Sequence, residues 1–308
     1  MSRARQTELF PDLPSAHRCA VKLKPLAQPI WTKHKARLIA RYLHYFVLIT
    51  KHGVYIDGFA GPQREREEGA EDIWSARLVL NNEPRWLRKF FLYDIDIEQA
   101  AALDNLVEET KGADDKARAA GVRFPRRKFS SRRGDFNELV DELLRSGDVR
   151  PKEATFALLD QRSLECDWST VAKLAQHSQA PHNKIEIFYF LATGWLARTI
   201  SGHKESSPID RWWGGRDWEH LRSRTGRCWA DAMTARFRDE LGYQYAMAWP
   251  IREREGGLGR TMYYMIHATD HADAPKLMRR AYQHVLAPVE QHEQLRLELG
   301  TVGGESNE

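Results

Sequence analysis

Four short strand-like runs in the first two-thirds of the chain lead into carboxylates, and acids placed at strand ends are groups that can hold a ligand. The first, Val54-Tyr55-Ile56-Asp57, continues as Gly58-Phe59-Ala60-Gly61-Pro62-Gln63. Glycine lets the backbone approach a ligand closely, and Asp57 can accept from an amine or hydroxyl or simply cap a tight turn. The second ends Phe91-Leu92-Tyr93-Asp94-Ile95-Asp96. Asp94 suits the two hydroxyls of a ribose, while Asp96 is placed to cap the helix that follows. The third is followed by Arg133-Gly134-Asp135-Phe136. Asp135 could receive an adenine amino group, or it could be the N-cap of a helix over 136–146 with Glu138 three residues on. The fourth ends Leu158-Leu159-Asp160-Gln161-Arg162-Ser163, a polar cluster directly after an apolar strand. There is no GxxxxGK[ST], no HExxH or other metal-ligand spacing among the 12 histidines, and no GxSxG, so triphosphatase, metal-site and hydrolase readings have no support. Acids and a glycine turn at successive strand ends, without phosphate-binding glycines, describe an adenosine-type pocket. S-adenosylmethionine fits it better than NAD or ATP.

The elements that must carry these residues alternate. Strand-like runs at 54–57, 90–93, 128–131, 155–159 and 185–190 are separated by segments with apolar residues at helical spacing, for example Ala100, Leu103, Leu106 and Val107. This predicts an α/β fold, a doubly wound, Rossmann-like sheet with helices on both faces. Ahead of it, Leu38, Ile39, Tyr42, Leu43, Phe46 and Val47 mark the inner face of a helix from Trp31, with Lys33, Lys35, Arg37 and Arg41 assigned to a basic outer face. The expected organisation is an extended arm over 1–30, a core over 31–192, a helical Trp/Arg-rich insertion over 193–242, a hairpin and closing helix over 243–287, and a tail over 288–308. Trp195, Trp212, Trp213, Trp218 and Trp229 in the insertion could stack on unpaired bases or form a subdomain core. The hairpin, 243–251 and 261–267, could close the sheet antiparallel or be the wing of a winged helix.

At 308 residues, 42% hydrophobic and 29% charged, the chain can bury a full core, and it has no apolar run of the ~18 residues a membrane helix needs. The opening MSRARQTELFPDLPS lacks the apolar stretch of a signal peptide, so the expected location is cytoplasmic. Cys19, Cys166 and Cys228 are too few and too scattered for a disulfide framework. The net charge of +4 hides a segregation: residues 13–56 hold eight Lys and Arg with no acid, and residues 116–134 hold another eight with none. Segregated cations favour a polyanion, and a nucleic acid is the expected partner, with Lys35, Arg126, Arg127 and Lys128 as phosphate contacts. Arg162 could stack on a flipped base or bind a phosphate. The alternative is two solvated faces whose acids are supplied by folding.

Taken in order, Trp31-Thr32 with Lys35, the turn Tyr55 to Pro62, Asp94-Ile95-Asp96, Gly134-Asp135, Leu159-Asp160 with Asp167-Trp168-Ser169-Thr170, and Met262-Tyr263-Tyr264-Met265 resemble the three-Cys-motif partner (TcmP) family over residues 31–285. The resemblance implies a class I, S-adenosylmethionine-dependent methyltransferase-like protein of bacterial type, encoded beside a three-cysteine-motif protein that is a candidate partner. It implies that Asp57, Phe59 and Gly61 line the methionine and adenine side, Asp94 the ribose, Asp135 the adenine and Asp160 the acceptor. Two positions depart from the family pattern: Gln63 replaces a glycine, and Gln161-Arg162-Ser163 replaces a Pro-Tyr-Gly-like sequence. The departures favour an alternative, a catalytically degenerate binding protein on the same fold. A small-molecule methyltransferase would leave both basic segments without a purpose.

Overall fold

The computed structural model describes residues 30–62, 74–178, 184–193, 196, 200, 207–222, 224–254 and 259–286. The arm up to residue 29, the tail from 287, Gln63 and Trp195 lie outside them. Seven strands form one sheet: β1 (Val54–Asp57), β2 (Lys89–Asp94), β3 (Lys128–Arg133), β4 (Thr155–Leu159), β5 (Glu186–Leu191), β6 (Tyr245–Arg252) and β7 (Thr261–Thr269), in the order β3-β2-β1-β4-β5-β7-β6. The first five run parallel, whereas β7 pairs antiparallel with both β5 and β6. The hairpin therefore extends the sheet and is not a wing. Parallel strands must be covered on both faces, which is why β1, β4 and β5 read as unbroken apolar runs and are buried throughout.

Side chains alternate between two cores. Val54, Ile56, Tyr93, Leu159 and Tyr189 pack toward α4 (Phe136–Arg145), α5 (Trp168–Gln176), α6 (Ser207–Trp213) and α7 (Gly226–Asp239). Tyr55, Phe90, Leu92, Phe156 and Phe188 pack toward α1 (Ile30–Thr50), α2 (Ser75–Leu80), α3 (Ile97–Ala119) and α8 (Ala274–Leu286). The sheet ends at β3, which carries Lys128, Arg132 and Arg133, and at β6, which carries Pro250 and a register shift between Ile251 and Arg252.

Four tryptophans of the insertion are core. Trp212, Trp213, Trp218 and Trp229 are no more than 2% exposed, so of the two alternatives these four take the subdomain core and not base stacking. Two of their polar edges are used internally: Trp213 Nε1 donates to Asp217 at 2.9 Å and Trp218 Nε1 to Asp210 at 2.8 Å. The Arg236 guanidinium lies 4.0 Å from the Trp168 ring and 4.4 Å from that of Trp213, tying the insertion to α5.

Asp96 caps α3, accepting from the backbone N–H of Glu98 at 2.8 Å and of Gln99 at 3.1 Å. Asp96→Ala should cost about 1 kcal/mol, read as a fall of a few degrees in Tm, because it removes this cap. An unaltered melt would show that the cap adds nothing.

Candidate functional site

The chain builds outward from β1 through β2 to β3 and then returns to β4 on the other side of β1. That reversal opens a crevice at the carboxyl ends of β1 and β4, the place where doubly wound sheets hold ligands. A small cleft lies there, lined by Lys35, Asp57, Phe59, Gly61, Trp74 and Asp160 among others.

Asp57 ends β1 and is 1% exposed. It accepts from the Tyr55 hydroxyl at 2.9 Å and from the Phe59 backbone N–H at 3.1 Å. Burial, followed by the neighbouring charge of Asp160, pushes its carboxyl up to about 7, against the pull of those two hydrogen bonds. Asp160 follows β4 and is also buried; its two oxygens accept from Lys35 Nζ at 2.9 and 2.8 Å. The same ammonium lies 4.6 Å from the centre of the Phe190 ring. Both oxygens of one carboxylate thus hold the lysine, while Asp57 lines the same cleft beside them.

Asp94 ends β2 and accepts the backbone N–H groups of Gly61 and Asp96, both at 2.9 Å. Burial raises its carboxyl above the usual range, partly opposed by those bonds. Gly61 must be glycine here, because a Cβ would sit 2.4 Å from Asp94 Oδ2 and 2.5 Å from the Gln99 side chain. Arg162 reaches across from the β4 side and donates to Gln99 Oε1 at 2.9 Å. Gln161 is buried and braces the loop, donating to the Phe190 carbonyl at 3.2 Å and accepting from Cys166 N–H at 2.9 Å.

The sequence-derived set therefore divides. Asp57, Phe59, Gly61, Asp160 and Lys35 line one cleft, and Asp94 and Arg162 stand against it through Gly61 and Gln99. Asp135 instead caps α4, accepting from Asn137 N–H at 2.9 Å and Asn137 Nδ2 at 2.8 Å, and is absent from the cleft lining. Trp74 was missed: its indole N–H donates to the Ala60 carbonyl at 2.7 Å and closes one wall. A tryptophan directly preceding a helical run was the only cue.

Two expectations about basic residues are corrected. Lys35 is not on the outer face of α1; it is 3% exposed and points into the cleft. Its spacing to Leu38, Ile39 and Tyr42 is three, four and seven, the spacing of the buried stripe. The triplet at 126–128 is not a free phosphate-binding face. The Arg127 side chain is 3% exposed, paired with Asp114 at 2.6 Å, and donates to the Leu80 carbonyl at 2.7 Å. Lys128 pairs with Asp148 at 2.6 Å, while Arg126 is exposed. Elsewhere in the segment Arg118 pairs with Asp115 at 3.5 Å and Arg132 with Glu142 at 2.6 Å, so folding supplies acids to half of it.

No protein-family model and no curated protein matches the chain. Among solved structures, similarity is found to the small RNA methyltransferase HEN1 (10% identity, TM-score 0.47, covering 84% of this chain and 28% of that one). It is also found to LPL1258 from Legionella pneumophila (9% identity, TM-score 0.44, covering 86% and 95%). A third is the MycE methyltransferase of mycinamycin biosynthesis, in complex with Mg and SAH (10% identity, TM-score 0.37, covering 80% and 56%). The chain spans little more than a quarter of the HEN1 chain. The strand order itself, with β7 reversed between β5 and β6, is that of the Rossmann-like class I methyltransferase fold. Among the described residues no helix is long and apolar enough to cross a membrane.

Proposed function

We propose that this chain is a cytoplasmic S-adenosylmethionine-dependent methyltransferase of the three-Cys-motif partner type that acts on a nucleic acid. The observation that carries the reading is the pair of buried carboxylates, Asp57 and Asp160, lining one cleft at the sheet's switch point, with Lys35 held on Asp160. Such a cleft has an excess of negative charge, and the ligand that relieves it is a cation. The donor set fits S-adenosylmethionine in this respect, and the Gly61 backbone, packed against Asp94, supplies the close turn that a nucleoside needs. When bound, the cofactor supplies a methyl group on a cationic sulfur. Asp57 would hold its ammonium, and Asp94 would accept from its ribose hydroxyls with the lone pairs that Gly61 and Asp96 leave over. Asp160, fixed through both oxygens by Lys35, would orient the acceptor or take its proton, and Arg162 would meet the substrate at the mouth of the cleft. Asp135 keeps its capping role. The core over 31–192 would carry the chemistry, and the three-cysteine-motif protein would be a partner.

Titration calorimetry with S-adenosylmethionine tests the reading directly. Asp94→Ala should weaken binding by about 1–3 kcal/mol, through loss of charge-assisted hydrogen bonds. Unchanged affinity would remove Asp94 from the site. A second reading, a degenerate binding protein, is favoured by the hold that Lys35 already has on both oxygens of Asp160. No binding by pure protein, restored by Gln63→Gly, would support it.

A further inference from the structure

The helices α1 and α8 pack side by side on the same face of the sheet. Neither contains an aspartate or a glutamate. Lys33, Arg37 and Arg41 follow one another at single-turn spacing along α1, Arg37 exposed and Lys33 and Arg41 half-buried. Arg279 and Arg280 are exposed on α8. The two sets meet at Tyr45: the Arg41 guanidinium lies 5.1 Å and that of Arg280 5.6 Å from its ring centre. Among the described residues none of these five cations has an acid within ion-pair distance, and the buried Nε of Arg41 has no hydrogen-bond acceptor. The acids that border the face are spoken for, Glu83 by Arg85 at 2.8 Å and Asp273 by Lys276 at 3.4 Å. The contrast with residues 116–134, half of whose cations are paired, is the point. Five cations gathered on one face with no acid between them suit a polyanion outside the chain.

We propose that the face built by α1 and α8 docks the phosphate backbone of a nucleic acid, with Arg37, Arg41, Arg279 and Arg280 as its main contacts. The inference rests on the nucleic-acid reading above and moves the contact surface away from residues 126–128. A nucleic acid suits this face better than a lipid surface. A helix that lies in a membrane turns its apolar side outward, whereas the apolar side of α1 is packed on the sheet and only Leu48 and Ile49 are exposed at its end. Guanidinium groups stacked on a tyrosine also hold their donor edges in fixed planes, as bidentate phosphate contacts require.

The test is fluorescence polarisation of the full chain with labelled single-stranded RNA, single-stranded DNA and duplex DNA over a salt series. Cosedimentation with phosphatidylserine vesicles runs beside it. Arg37, Arg41, Arg279 and Arg280 changed together to Ala should weaken oligonucleotide binding at least roughly tenfold and lower the slope of log K against log salt by about 3. Arg37→Ala with Arg279→Ala, both on exposed side chains, should give about half that change without touching the core, and melts confirm that both variants fold. Lys116, Arg123, Arg126 and Arg133 changed together to Ala should leave the slope nearly as it was. Retention of wild-type affinity and slope by the α1 and α8 variants overturns the docking surface while leaving the nucleic-acid reading in place. Failure of the wild-type protein to bind any oligonucleotide, or binding to vesicles alone, overturns both. Calorimetry with S-adenosylmethionine is independent of every arm.

Discussion

Asp57→Asn is expected to make the protein more stable above neutral pH and to change it little in acid. A carboxyl whose folded value is raised to about 7 from the ordinary 3.8 holds its proton more tightly in the native state than in the unfolded chain. As pH climbs from about 4 to about 8 the unfolded chain releases that proton first, so the native protein loses up to about 4 kcal/mol over this window and none further above it. Asparagine keeps the shape, its Oδ1 can accept from the Phe59 N–H while its Nδ2 donates to the Tyr55 hydroxyl oxygen, and it carries no charge to bury. Urea unfolding of both proteins at each end of the window measures the difference; parallel pH profiles would show that Asp57 is not the buried acid described. The same carboxyl gives cofactor binding the opposite sign. A cationic ligand prefers the ionised form, so affinity should rise roughly tenfold per pH unit below about 7 and level off above it. In Asp57→Asn that rise should vanish.

Lys35→Met should cost about 3–5 kcal/mol, because it leaves the Asp160 charge buried beside Asp57 without the ammonium that contacts both of its oxygens. The loss reflects an orphaned charge, not the worth of the pair, and the double variant Lys35→Met with Asp160→Asn should recover most of it. Thermal or urea melts of the single and double variants decide. A double variant as damaged as Lys35→Met alone would mean that the lysine acts through packing on Phe190 and not through Asp160.

These two residues also mark how far the sequence could be read. The strand order follows from elements that were visible, because parallel strands sheathed on both faces leave unbroken runs such as Phe156 to Leu159. Asp57, Asp94 and Asp160 were visible for the same reason, each being the first polar group after such a run. Lys35 was misplaced because its charge outweighed its position; the spacing to Leu38 and Tyr42 was correct and the assumption that lysine faces water was not. Asp135 fitted a cap and an adenine contact equally well in one dimension, and the structure shows the cap, with Asn137 N–H and Nδ2 bonded to it at 2.9 and 2.8 Å. Arg127 was illegible: its partner Asp114 lies on the preceding helix, and nothing in the sequence distinguishes that acid from its neighbour Asp115.

The two borders of the sheet have a bearing on how copies of this chain tolerate one another. An outermost strand offers a row of unmatched amides and carbonyls on which a second molecule can assemble, and long, smooth, apolar borders are where aggregation begins. Here one border carries cations at its two ends, Lys128 and Arg132-Arg133, and the other is interrupted by Pro250, which has no N–H to give, and by a register shift at Ile251 and Arg252. Part of the cationic excess at 128–133 is thus explained by solubility: it keeps a seven-stranded sheet from becoming fourteen.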